Sequence, residues 1–96
     1  MSVINCVMVY DHVVEKIAIE SSRENFERAL EGEVKSFILS DQTVALFNEE
    51  AISKNLPRNF LGVYGTIIFC KYYKSQISSL EADEQAALLK KLNLQL

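Results

Sequence analysis

Apolar and polar residues alternate, or run in short blocks, along most of this chain, and the period of each block predicts the element it forms. Val3 to Tyr10 reads Val-Ile-Asn-Cys-Val-Met-Val-Tyr, rich in β-branched and aromatic types and too short for a confident helix, so it is expected as a strand. Asp11-His12 has the composition of a tight turn. Val13, Glu15, Ile17 and Ile19 then alternate with Val14, Lys16, Ala18 and Glu20, an imperfect pattern that suits a half-buried antiparallel partner and predicts a hairpin. Glu24 stands three residues after Ser21, the spacing at which a hydroxyl cap and a reciprocal carboxylate satisfy the free N–H groups of a helix start. Phe26, Ala29 and Leu30 follow at i, i+3 and i+4, with Arg23, Glu24, Glu27, Arg28 and Glu31 on the other face. Gly32 is expected to end this helix.

Val34 to Leu39 predicts a third strand, Ser40-Asp41-Gln42 a turn, and Thr43 to Phe47 a fourth strand that completes a second hairpin. Asn48 to Asn59 is a polar connection holding the only proline, Pro57. Gly62 to Tyr73 is the most β-prone stretch and is expected at the centre of the sheet. From Leu80 to Leu92, acids occupy the first turn and lysines the last, which complements a helix dipole, and Ser78 and Glu81 have capping-box spacing. The order ββαβββα predicts one α+β domain over residues 1–96, an antiparallel sheet of about five strands with two helices.

Composition narrows the class. Ninety-six residues fit one core, and 49% hydrophobic against 24% charged residues is globular rather than disordered composition. A domain of this size buries only about 60–65% of its unfolded surface, which makes a homodimer a natural way to cover leftover strand area. The formal net charge of −3 opposes the phosphate contacts of general nucleic-acid binding. Lys35, Lys54, Arg58, Lys71 and Lys74 flank strands instead of clustering and read as edge charges that discourage strand pairing. No apolar stretch approaches the ~20 residues of a membrane-spanning helix. The first residues are already strand-like, so a cytoplasmic protein without a leader is expected. Cys6 and Cys70 each sit in an apolar run and read as structural thiols, with a disulfide geometrically open to them only if their strands are neighbours.

Groups for bond chemistry are sparse, and no catalytic residue, metal or cofactor is expected. The single histidine, His12, lies beside Asp11 in a predicted turn, and Gly32, Gly62 and Gly65 are too scattered for a phosphate loop. Glu49 and Glu50 are adjacent, so on an extended chain their carboxylates face opposite ways. The tyrosines and phenylalanines, Phe37 and Phe47 among them, read as core and interface packing. The segment that stands out is the long connection, because loops carry function disproportionately. Asn48, Glu49, Lys54, Arg58 and Asn59, with Tyr64 just beyond, are the candidate ligand- or partner-binding residues. The competing reading is that the asparagines cap turns.

The hairpin Val34 to Phe47, the Asn48-Glu49 strand end, the Leu56-Pro57-Arg58-Asn59 turn and the Gly65-Thr66-Ile67-Ile68 strand together resemble an uncharacterised family of small proteins carried by bacteriophages, plasmids and conjugative elements. The similarity covers roughly residues 3 to 70, and Tyr64 departs slightly from the family's plainer strand. The resemblance implies a mobile-element setting more than a mechanism. In that setting the expected function is binding without catalysis, in the host cytoplasm, to inhibit a host defence or regulatory protein. The alternatives are a sponge for a small nucleotide signal, with Lys54 or Arg58 on phosphate and a tyrosine on the base, and a small enzyme with a site around Asp11, His12, Glu49 and Arg58. A structural or transcriptional accessory role completes the range.

Overall fold

A computed structural model describes residues 2–40, 42–50 and 64–94. Eight elements follow in chain order: β1 (Val3–Tyr10), β2 (Val13–Glu20), α1 (Arg23–Leu30), β3 (Val34–Ser40), β4 (Thr43–Asn48), β5 (Ile67–Tyr73), β6 (Gln76–Ser78) and α2 (Ala82–Asn93). All strand pairs are antiparallel, in the order β2-β1-β5-β4-β3. The short β6 joins β5 beyond the reach of β1: β5 offers Ile67 to Phe69 to β1 and Lys71 to Tyr73 to β6 on the same side. The protein is an α+β fold with the expected element order, to which β6 is added.

Local corrections have local causes. Ser22, not Ser21, caps α1, its hydroxyl accepting the N–H of Asn25 at 3.1 Å. The left-handed residue that closes α1 is Glu31, at φ 62°, ahead of Gly32, whose N–H reaches back to the Glu27 carbonyl at 3.0 Å. At α2 the capping box is Glu81 with Glu84 instead of Ser78 with Glu81, because Ser78 is taken up by β6. β5 is Ile67–Tyr73, and Gly62 and Val63 of the expected stretch lie outside the described residues. Gly65, at φ 83°, turns the chain just before β5 in a conformation that a β-carbon would resist.

The helices sit on opposite faces and over opposite halves of the sheet. α1 packs on β3 and β4, where Phe26 and Leu30 meet Val44, Leu46 and Ile68. α2 packs on β1 and β2, and with Leu80 it covers Val7, Val9, Ile67 and Phe69. Each fully buried aliphatic side chain here, such as Leu30, Leu46 and Ile68, stabilises the fold by about 1.5–3 kcal/mol. Two buried amides tie the layers together. Asn48 donates to the carbonyls of Leu30 and Glu31, each at 3.2 Å, satisfying the end of α1. Gln85 of α2 donates to the Cys6 carbonyl at 3.0 Å. Cys6 and Cys70 are neighbours across β1 and β5, both free and both fully buried.

Candidate binding edge

A sheet ends in two edges, here β2 and β3, and they are finished differently. On β2, Glu15, Lys16 and Glu20 interrupt the apolar residues, and α2 lies against the strand, a charged and partly covered edge of the kind that resists pairing. β3 carries one charge, Lys35, and its Phe37, Ile38 and Leu39 are 61%, 53% and 51% exposed. Their exposure follows from pairing and from the reach of α1. Phe37 lies opposite Ala45, on the face of α2, but α2 sits over the other half of the sheet. Ile38 lies opposite Val44, on the face of α1, while the β3 residue that packs into the α1 core is Val34, near the start of the strand.

Among the described residues no strand pairs with the outer side of β3, and within them its outward N–H and C=O groups form a template for pairing. A register shift between Ile38 and Ser40 leaves Leu39 as a bulge, which bends the edge there and confines the straight template to Val34–Ile38. Electrostatics set one end apart from the other. Glu31, Glu33, Glu49 and Glu50 surround the start of the strand against Arg23 and Lys35, with Lys35 at 3.6 Å from Glu49 and Arg23 at 3.8 Å from Glu33. Both pairs are solvent-exposed and contribute little to stability. They place two exposed ion pairs at the start of an otherwise apolar strand.

The residues singled out from the sequence fall in several places. Asn48 is 3% exposed, and besides its two donated bonds its side-chain oxygen accepts the Glu50 N–H at 2.9 Å, an arrangement that holds the end of β4 to the end of α1. Glu49 is exposed and paired with Lys35, and Tyr64 is 39% exposed. Lys54, Arg58 and Asn59 lie outside the described residues. Asp11, at φ 49°, and His12 form the exposed β1–β2 turn. Val9 and Phe47 both pair with Ile67, so that turn, Glu49 and Tyr64 share one end of the sheet. β5 runs between β1 and β4, however, which separates their backbones by roughly 10 Å. At the same end the Tyr10 phenol is pushed above its ordinary value by desolvation and by neighbouring Glu15. Among the described residues no three His, Cys, Asp or Glu side chains converge as a metal site.

Open grooves flank the sheet. One, of about 490 Å³, lies between α2 and the start of β4, lined by Thr43, Leu80, Glu84, Leu88 and Lys91. Beside it Lys71 donates to Glu84 at 3.1 Å. The hydrogen bond it donates to Glu84 pushes the Lys71 ammonium up, and the N–H of Glu81, seconded by Lys71, holds the Glu84 carboxyl below the usual range. Another groove, of about 350 Å³, lies between the start of α1 and the sheet, lined by Ser22, Phe26, Val34, Ser36, Leu46 and Ile77.

Phe37, Ile38 and Leu39 did not stand out as a site in the sequence, where they read as ordinary strand packing. The available signal was their adjacency: consecutive apolar residues in a strand point to both faces, so burying all of them requires cover on both sides. No protein-family model, curated protein or solved structure matches the chain.

Proposed function

We propose that the chain acts by occupancy: it binds another protein through the outer edge of β3 and has no bond chemistry of its own. The observation that carries this reading is the edge of β3, unpaired among the described residues, with Phe37, Ile38 and Leu39 each more than half exposed. An apolar strand edge recognises an extended segment by main-chain hydrogen bonds, with side chains on both faces supplying selectivity. The exposed Phe37 and Ile38 select a segment that is apolar along β3. In the mobile-element setting that the sequence motifs imply, the partner is a defence or regulatory protein of the host cytoplasm, inhibited by losing that segment to the complex.

The test compares the wild-type chain with an Ile38→Lys variant, each used to capture protein from a lysate of the cell that carries it. Hydrogen exchange is then followed on the captured complex. The expected result is a partner held by the wild type, lost at least tenfold with Ile38→Lys, and accompanied by slowed exchange in β3. A partner held equally by both forms, or protection confined to another element, overturns the proposal. So does a tight self-association through β3 that excludes other proteins, or a retained nucleotide in place of a protein.

A further inference from the structure

The side chains of Cys6 and Cys70 meet in the core, Sγ to Sγ at 3.3 Å, and neither is exposed at all. Their placement is a matter of register. Val9, Met8 and Val7 pair with Ile67, Ile68 and Phe69, and one further step along both strands sets Cys6 opposite Cys70. The neighbouring Asn5 turns its N–H and carbonyl toward Ser79 and Leu80, on the β5–β6 side. By the alternation of a strand, Cys6 therefore occupies a non-hydrogen-bonded position toward β5, the kind at which opposed side chains approach closest, with Cα atoms about 4.5 Å apart. That spacing lies inside the range a disulfide accepts, about 4.4–6.8 Å, so the two sulfurs close on each other without moving the strands apart or together.

We propose that Cys6 and Cys70 form a thiol-oxidation site, closing to one intramolecular disulfide when a peroxide takes two electrons from the pair. One sulfur attacks a peroxide oxygen, the O–O bond breaks, and water leaves behind a sulfenic acid. The second sulfur attacks the first, the S–O bond breaks, a second water leaves and the S–S bond forms. Two thiols and one peroxide become one disulfide and two waters. The chain has only two cysteines, so a monomer has a single pairing to adopt.

The same geometry sets the pace. The hydrogen bond with Cys6 and burial push the Cys70 thiol far above its ordinary value, both sulfurs are closed to solvent, and oxidation passes through local opening. The site suits such opening because the β1–β5 ladder ends at Val7 and Phe69. Separating the thiols breaks no rung of that ladder, only the bonds of the adjacent Asn5 to Ser79 and Leu80. Once formed, the cross-link closes a loop of more than sixty residues, which restricts the unfolded chain strongly.

The experiment treats the reduced, full-length protein with hydrogen peroxide, in buffer and in a low concentration of urea that populates local opening. Intact mass, thiol titration after denaturation, and thermal unfolding are then measured. The expected product is a monomer two hydrogens lighter, with no titratable thiol, and with Tm raised by about 10 °C or more until dithiothreitol reverses it. Peroxide-treated Cys70→Ala is expected to show no such rise. Thiols that survive in both conditions overturn the proposal, as do added oxygen atoms in place of lost hydrogens, a dimer linked between chains, or the same Tm rise in Cys70→Ala.

Discussion

β5 and β3 carry similar blocks of apolar residues and meet opposite fates. Ile67-Ile68-Phe69-Cys70 is buried throughout, with Ile68 and Cys70 fully so, whereas Phe37-Ile38-Leu39 is more than half exposed at every position. Their β-propensity is comparable, so the strand's own residues do not explain the difference. β5 has neighbours on both sides, β4 on one and β1 with β6 on the other, and a helix layer over each face. Among the described residues β3 has one neighbouring strand, and α1 covers it only near Val34. An apolar run in a strand is thus a core or a contact surface according to what the rest of the chain places around it.

The comparison breaks most plainly if the same truncation is made in both strands. Ile68→Ala is expected to cost about 2–5 kcal/mol in urea or thermal unfolding, and Ile38→Ala less than about 0.5 kcal/mol. Equal losses would mean that β3 is covered in solution, by a second copy or by another part of the chain. A second substitution probes why α1 reaches only the near end of β3. Asn48→Ala removes the amide that binds the Leu30 and Glu31 carbonyls, and it should destabilise by about 1–3 kcal/mol, with faster hydrogen exchange in α1 and the β3–β4 hairpin than in β1 and β2. Uniform exchange would show that the helix end is held by other contacts.

The smallest effect sharpens the contrast from the covered half of the sheet, where Lys71 of β5 meets Glu84 of α2. Glu84 titrates below its unfolded value, so its contribution is complete above about pH 4.3 and is lost as pH falls through the folded value. Lys71 titrates above its unfolded value, so its contribution is complete below about pH 10.4 and is lost as pH rises through the folded value. The pair's stabilisation is therefore level from about pH 5 to 10 and falls outside that window. Glu84→Gln should lower stability by about 1 kcal/mol at neutral pH and flatten the acid limb of the stability profile measured by urea titration. An unchanged acid limb would assign the acid dependence to other carboxylates.

Most of the element order was legible in the chain because each long element repeats its pattern. Phe26, Ala29 and Leu30 mark a helix face, the Val13–Glu20 alternation marks a half-buried strand, and acids before lysines mark the polarity of α2. β6 escaped because three residues, Gln76-Ile77-Ser78, are too few for a period to register. Its hairpin turn, with Lys74 and Ser75 at φ 51° and 62°, also lacks the glycine or asparagine that normally announces such a conformation. The cap of α1 moved by one residue because Ser21 and Ser22 are chemically equivalent, and only the path of the chain out of β2 decides which hydroxyl faces the helix end.

The candidate site belongs to the other category. Residue types and spacing determined by themselves that Phe37, Ile38 and Leu39 lie in a strand, that Cys6 and Cys70 lie in two others, and that Asn48 ends a fourth. Whether the first group is a core or an edge, whether the thiols touch, and whether the amide meets a ligand or a helix end depends on strand order. Strand order arises from contacts between residues far apart in the chain: Cys6 meets Cys70 across 64 positions and Gln85 meets Cys6 across 79. A local pattern carries no information about such pairings, because the free energy that selects them comes from burying both faces of β5 at once.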